Sequence, residues 1–175
     1  MKKVIYIILS LVLLCLVITN NKDYYVIPNE SIRLRIIANS NSIEDQYIKN
    51  KVKENIEKEL SKELTYFDTI NSSRKTIKKN LSKYKDIVKQ TLEKENYQKD
   101  FKINYGLNYF PKKEYKGVIY EEGDYESLLI TLGKGEGNNW WCVMFPPLCT
   151  LEVQEQDEIE YRIFIKDFIE KYLSK

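Results

Sequence analysis

The chain has 175 residues, enough for one domain, with 43% hydrophobic and 31% charged residues and a formal net charge of +2. Without Lys2 and Lys3 the remainder is formally neutral, so the overall charge gives no support to a nucleic-acid role. Histidine is absent, which excludes a Ser-His-Asp triad, a Cys-His dyad and any His-ligated metal.

Met1-Lys2-Lys3 precedes an apolar run from Val4 to Ile18, which gives way to Thr19-Asn20-Asn21-Lys22. That order of charged, apolar and polar stretches is the grammar of a secretion signal. As a helix the run spans about 22 Å, short of the roughly 30 Å hydrocarbon core. No Ala-x-Ala cleavage site follows, so residues 1–22 are either a signal peptide or a short uncleaved membrane anchor. Cys15 invites a lipoprotein reading, but Leu14 stands where a small residue is wanted, and ordinary apolar filling is the simpler account. Residues 23–30 read as a linker and 31–175 as a single globular domain outside the cytoplasm, a compartment that permits disulfides.

Ser31 to Ala38 alternates, with Ile32, Leu34 and Ile36 on one side and Arg33 and Arg35 on the other, which predicts a strand with one face in the core. Asn39-Ser40-Asn41-Ser42 ends it, and Ser42 with Asp45 resembles a capping box in which Asp replaces the usual Glu. The helix that follows carries Ile48, Val52, Ile56, Leu60 and Leu64 at four-residue intervals. A second helix, beginning near Ser72 or Ser73, turns Ile77, Leu81, Tyr84, Val88 and Leu92 inward. Its lysine-rich outer side, with Arg74, Lys78, Lys85 and Lys89, reads first as a solvated face and second as a site for anionic lipid.

From Phe101 the period becomes two, and Phe101, Ile103, Tyr105, Leu107 and Tyr109 alternate until Pro111. Lys116 to Glu121 and Glu126 to Leu132 read as a hairpin around Gly123-Asp124. Asn138 to Phe145 is the last strand, entered through Gly133-Lys134-Gly135-Glu136-Gly137, a turn without the Gly-Lys-Ser/Thr ending of a phosphate-binding loop. Ile159 to Leu173 reads as an amphipathic helix with Tyr161, Phe164, Ile165, Phe168 and Tyr172 on one face. The order β-α-α-β-β-β-β-α predicts an α+β domain, a mainly antiparallel five-stranded sheet with helices packed on one face.

The stretch from Gly133 to Cys149 holds both tryptophans, two of the three cysteines and the pair Pro146-Pro147. Cys142 and Cys149 are not spaced as a Cys-x-x-Cys motif. They close a loop of about eight residues, and a disulfide there would stabilise the fold by about 2.5 kcal/mol. In a regular strand Trp140, Cys142 and Met144 share one side, and Trp141, Val143 and Phe145 the other. One tryptophan can enter the core. The other needs cover from a loop, the C-terminal helix or another protein, and beside Arg33 or Arg35 it has the composition of a binding hot spot.

Two blocks carry a resemblance. Ile32-Arg33-Leu34-Arg35-Ile36-Ile37-Ala38-Asn39-Ser40, followed by Glu44-Asp45-Gln46, Lys49 and Lys51-Val52-Lys53, resembles the start of the stage II sporulation protein R family. Asn138-Asn139-Trp140-Trp141-Cys142-Val143-Met144-Phe145-Pro146-Pro147-Leu148-Cys149 resembles that family's second hallmark. Asn41 and Ile43 depart from the family's Asp and Pro, at the helix cap. The resemblance implies an exported sporulation signalling protein, made in the forespore and acting between the two membranes. There it would activate a membrane-embedded aspartic protease of the mother cell that processes pro-sigma-E.

The expected contact set is Arg33, Arg35, Trp140, Trp141, Phe145, Pro146 and Pro147, with a Cys142–Cys149 disulfide fixing the Pro-Pro loop. Membrane association would run through residues 4–18, and no catalytic residue, cofactor, metal, nucleic acid or small-molecule substrate is expected. The rival classes are an extracytoplasmic enzyme working through a carboxylate pair or Cys142, and an envelope module that binds anionic lipid.

Overall fold

The computed structural model describes residues 6, 24–63, 66–115, 117–150 and 158–173. The apolar run 4–18, apart from Tyr6, and the helix residue Leu64 lie outside them. Among the described residues no helix is long and apolar enough to cross a membrane.

Strands β1 (Tyr25–Val26) and β2 (Ile32–Ile37) are followed by helices α1 (Ile43–Glu63), α2 (Ile70–Lys79) and α3 (Leu81–Lys94). Then come β3 (Phe101–Phe110), β4 (Lys113–Tyr115), β5 (Val118–Tyr120), β6 (Gly123–Leu132) and β7 (Asn139–Phe145). A 3₁₀ turn at Leu148–Thr150 precedes helix α4 (Glu158–Leu173).

The fold is α+β, but the strands form two sheets rather than one of five mainly antiparallel strands. The larger is mixed, in the order β3-β6-β2-β7, with β2 parallel to β6 and antiparallel to β7. The smaller joins β1, β5 and β4. The hairpin expected around Gly123-Asp124 is therefore divided: β5 pairs with β4 and β1, whereas β6 pairs with β3 and β2. Alternation reports which face of a strand is apolar and says nothing about which strand lies beside it. Tyr25 and Val26, in the segment read as a linker, supply β1.

Strand β2 is central, and its alternation has the expected consequence. Ile32, Leu34 and Ile36 pack with Ile48, Val52, Ile56 and Leu60 of α1 and Tyr84, Val88 and Leu92 of α3. Burying each such aliphatic side chain contributes about 1.5–3 kcal/mol, so this face holds the principal core. The opposite face carries a second cluster in which Val143 of β7 meets Ile27, Val118 of β5, and Tyr161, Ile165 and Ile169 of α4. Helices α1 and α3 cover one face of the main sheet, and α4 packs with the small sheet and Val143 while its Tyr172 reaches Phe145. The predicted second helix is also two helices, because the chain leaves helical geometry at Asn80 (φ −95°, ψ 9°). It starts a turn earlier than expected, where Thr69 and Ser72 form a reciprocal capping box.

Part of the basic side of these helices is already paired. Arg74 forks onto Glu126 of β6 at 2.7–3.0 Å, fixing α2 against the sheet. Lys83 pairs with the buried Glu59 of α1.

The junction after β2 holds the sheet to α1. Ser42 caps the helix as its spacing suggests, its hydroxyl accepting the Asp45 N–H at 3.2 Å. Asp45 does not complete the box. Its carboxylate instead accepts from Asn39, Ser40, Tyr97 and Lys99. The glycine-rich turn packs on the same corner. A Cβ at Gly133 (φ +52°) would lie 2.3 Å from Asn39 Oδ1, and one at Gly137 2.2 Å from the Ser40 carbonyl oxygen. The turn delivers β7 alongside β2 only because these two positions have no side chain.

Candidate partner-binding cleft

Among the described residues β7 pairs with β2 alone, so its other side is an edge of the main sheet. Trp140 lies opposite Ile36, on the face under α1, and Trp141 lies opposite Arg35, on the face toward the small sheet. The register slips between Ile32 and Arg33: Arg33 faces Val143 while Ile32 faces Phe145, which leaves Met144 as an extra residue. This bulge corrects the simple alternation. Phe145 turns away from the side of Trp141 and enters the helix core, 2% exposed, with an edge-on contact to Tyr172 at 6.0 Å.

Both tryptophans are half-buried and line one cleft of about 380 Å³ that wraps around this edge strand. Lys53 and Glu57 of α1 form one wall, Lys113 of β4 and Tyr120 of β5 another, and Cys142, Leu148 and Cys149 contribute the rim near the turn. Lys53 Nζ stands 5.1 Å from the Trp140 ring centroid and Lys113 Nζ 5.1 Å from that of Trp141. One lysine therefore flanks the strand on each face. Such contacts contribute about 0.5–1 kcal/mol each where water reaches them. Trp141 is held from behind by Phe110 at 5.3 Å and Tyr120 at 5.9 Å. Cys142 and Cys149 are joined by a disulfide with Cα atoms 5.3 Å apart, and neither offers a free thiolate.

Arg33 lies deeper, fully buried at 0% exposure. Its guanidinium stacks on Tyr125, 3.3 Å from the ring centroid, with Phe110 at 5.3 Å and Tyr120 at 6.0 Å. None of its three nitrogens has a hydrogen-bond partner among the described residues. Burial pushes its pKa below the ordinary value, yet an arginine keeps its charge in proteins. Arg35 is also pulled down by burial; its Nη1 donates to the Tyr109 carbonyl at 3.2 Å and its Nε is unpaired. Burial raises the pKa of Glu57 despite Lys53 3.5 Å away. The wall behind the cleft thus carries uncompensated positive charge.

Of the residues singled out from sequence, Trp140 and Trp141 reach the cleft, and Arg33 and Arg35 sit behind it. Phe145, Pro146 and Pro147 are buried, and the Phe145–Pro146 peptide is cis. Lys113 and Tyr120 were not singled out, and Lys53 was named only within the first resemblance block, not as a contact residue. Lys53 had a weak signal, in the Lys-x-x-x-Glu spacing with Glu57 on α1. Lys113 had none, because the small sheet that places it is not visible in local periodicity. No group of three or more His, Cys, Asp or Glu that could hold a metal occurs among the described residues.

The stage II sporulation protein R family matches residues 28–155, a span that includes β2, the helices and the whole of β7. The chain is 41% identical over 141 residues to the stage II sporulation protein R of Bacillus subtilis (strain 168), covering 77% of this chain and 63% of that protein. It thus spans less than two thirds of the relative's length. No solved structure matches. The match runs through both sequence blocks and through the strand that forms the cleft, and the chain belongs to the stage II sporulation protein R family.

Proposed function

We propose that this chain is an exported, non-enzymatic signal that acts during spore formation by binding a membrane-embedded aspartic protease and activating its processing of pro-sigma-E. The observation that carries the reading is the cleft around β7, where two half-buried tryptophans and flanking lysines meet at a strand edge unpaired among the described residues. Tryptophan is enriched where binding energy concentrates, and an edge strand offers unpaired main-chain groups to a partner. Export would rest on residues 1–22, either as a signal peptide or as a short anchor in the membrane.

Activation by binding requires that the chain favour the active arrangement of the protease over the inactive one, since equal affinity shifts nothing. A move from 1:99 to 99:1 needs about 5.5 kcal/mol of difference. A pair of buried aromatic anchors is of the right order to supply that. The cysteine-enzyme rival loses its nucleophile while Cys142 and Cys149 are bonded.

Reconstitution in a heterologous host tests the reading, with the candidate protease, its sigma precursor and this chain expressed together. Precursor cleavage should appear only when the chain is exported. Cleavage without the chain, or none when the folded chain is abundant outside the cytoplasm, would overturn it.

A further inference from the structure

The two tryptophans and the two lysines stand on opposite sides of one strand, and this arrangement constrains what fits there. Trp140 with Lys53 lies on the face of β7 toward α1, and Trp141 with Lys113 lies on the face toward the small sheet. A strand added at the edge of β7 that is unpaired among the described residues would send successive side chains to those two faces in turn. Adjacent residues of the incoming segment would then meet Lys53 and Lys113. On the Trp141 side the buried Arg33 and Arg35 add positive charge behind Lys113, whereas on the Trp140 side Lys53 stands 3.5 Å from Glu57, the single carboxylate in the cleft lining. The site therefore presents a cation on each face of a strand, with the surplus of positive charge on the Lys113 face and a lysine shared with Glu57 on the other.

We propose that an extended segment of a partner protein carrying two adjacent carboxylate side chains pairs with the edge of β7, one carboxylate beside Lys53 and the next beside Lys113. Main-chain hydrogen bonds along the edge provide affinity, and the lysine pair provides selectivity for charge and spacing. Trp140 and Trp141 form the apolar walls on which the segment's side chains lie. This deepens the reading given above and rests on it in one respect, that the chain works by binding a protein.

The test uses two blocked peptides, Thr-Val-Thr-Glu-Glu-Thr-Val-Thr and its counterpart with Lys-Lys in place of Glu-Glu. Each is titrated into the chain while residue-resolved amide hydrogen exchange is followed. The acidic peptide should bind at least tenfold more tightly and slow exchange within Asn139–Val143. The double substitution Lys53→Gln and Lys113→Gln, both on partly or fully exposed side chains, should lower the melting temperature only slightly, keep the fold as read by circular dichroism, and abolish the preference for the acidic peptide. Equal binding of both peptides, no binding, or protection on β3 instead of β7 would overturn the proposal. So would β7 amides that are protected in the free chain and become exchangeable when Glu152, Glu155 and Asp157 are neutralised, because the chain would then fill its own edge. The two readings fail separately. If the wild-type chain leaves the sigma precursor uncleaved while the acidic peptide binds β7, the signalling role falls and the edge site stands. If wild type activates and the double variant activates equally, the edge site falls and the signalling role stands.

Discussion

Asp45 is where three parts of the chain are tied together. Its carboxylate accepts from Asn39 Nδ2 at 2.7 Å, the Ser40 hydroxyl at 2.5 Å, the Tyr97 hydroxyl at 2.5 Å and Lys99 Nζ at 2.9 Å. Burial alone would raise its pKa, but the bonds from Ser40, Tyr97, Asn39 and Lys99 outweigh that and hold it well below the usual carboxylate range. The sign follows from linkage. A carboxyl that ionises more readily when folded contributes stability above its unfolded pKa of about 3.9, and that contribution drains away as the pH falls below it. Asp45→Asn should cost about 2 kcal/mol at neutral pH, and the gap to wild type should narrow steadily below about pH 4. Urea midpoints measured across that range would show it; a gap that stays constant would mean the charge at Asp45 contributes nothing. The Ser42 cap beside Asp45 was visible in the sequence from its spacing. The bonds from Tyr97 and Lys99 were not, because only the tertiary fold brings the end of α3 to the start of α1.

At the level of elements, the pairing of β2 with β7 depends on a turn with no room for side chains. Gly137→Ala would place a Cβ 2.2 Å from the rigid carbonyl oxygen of Ser40, so the backbone itself has to move. A loss of about 1–3 kcal/mol is expected, read as a lower melting temperature. Gly106→Ala, within β3 and with nothing within 4 Å of the added Cβ, serves as the control and should change little. Individual elements were largely legible. Alternation placed β2 and β3, four-residue spacing placed α1 and an amphipathic pattern α4, because each is the direct imprint of one buried face; β7 was marked instead by a glycine-rich turn running into an apolar stretch. What was not legible arises between elements. Phe145 changes face at a bulge whose cause lies in pairing with β2, and β5 leaves β6 for β4 and β1. The helix expected to run unbroken through Asn80 is interrupted there, though its apolar spacing continues across the break.

For the whole molecule, the cleft sits where the main sheet, α1, the small sheet and the disulfide turn converge, so its shape depends on all four. Removing the crosslink by Cys142→Ala and Cys149→Ala should lower stability by about 2.5 kcal/mol through the unfolded chain, with the same fold retained. Denaturant titration of the variant beside wild type measures this; unchanged midpoints would show that the short loop is already ordered without its bond. The order of strands in the main sheet has a further consequence, for the way the chain comes to be folded. Ile36 of β2 pairs with Ile130 on one side and with Trp140 on the other. The earliest long stretch of core strand therefore has both neighbours near the far end of the polypeptide. Helices α1, α2 and α3 can assemble locally as they emerge, but the sheet they pack on cannot close until the last strands have been synthesised. Loop-closure entropy is then spent late and nearly all at once, which makes closure slow. A nascent or truncated chain that ends before β7 keeps β2 unpaired on one side, with Arg33 and its apolar neighbours open to any passing strand.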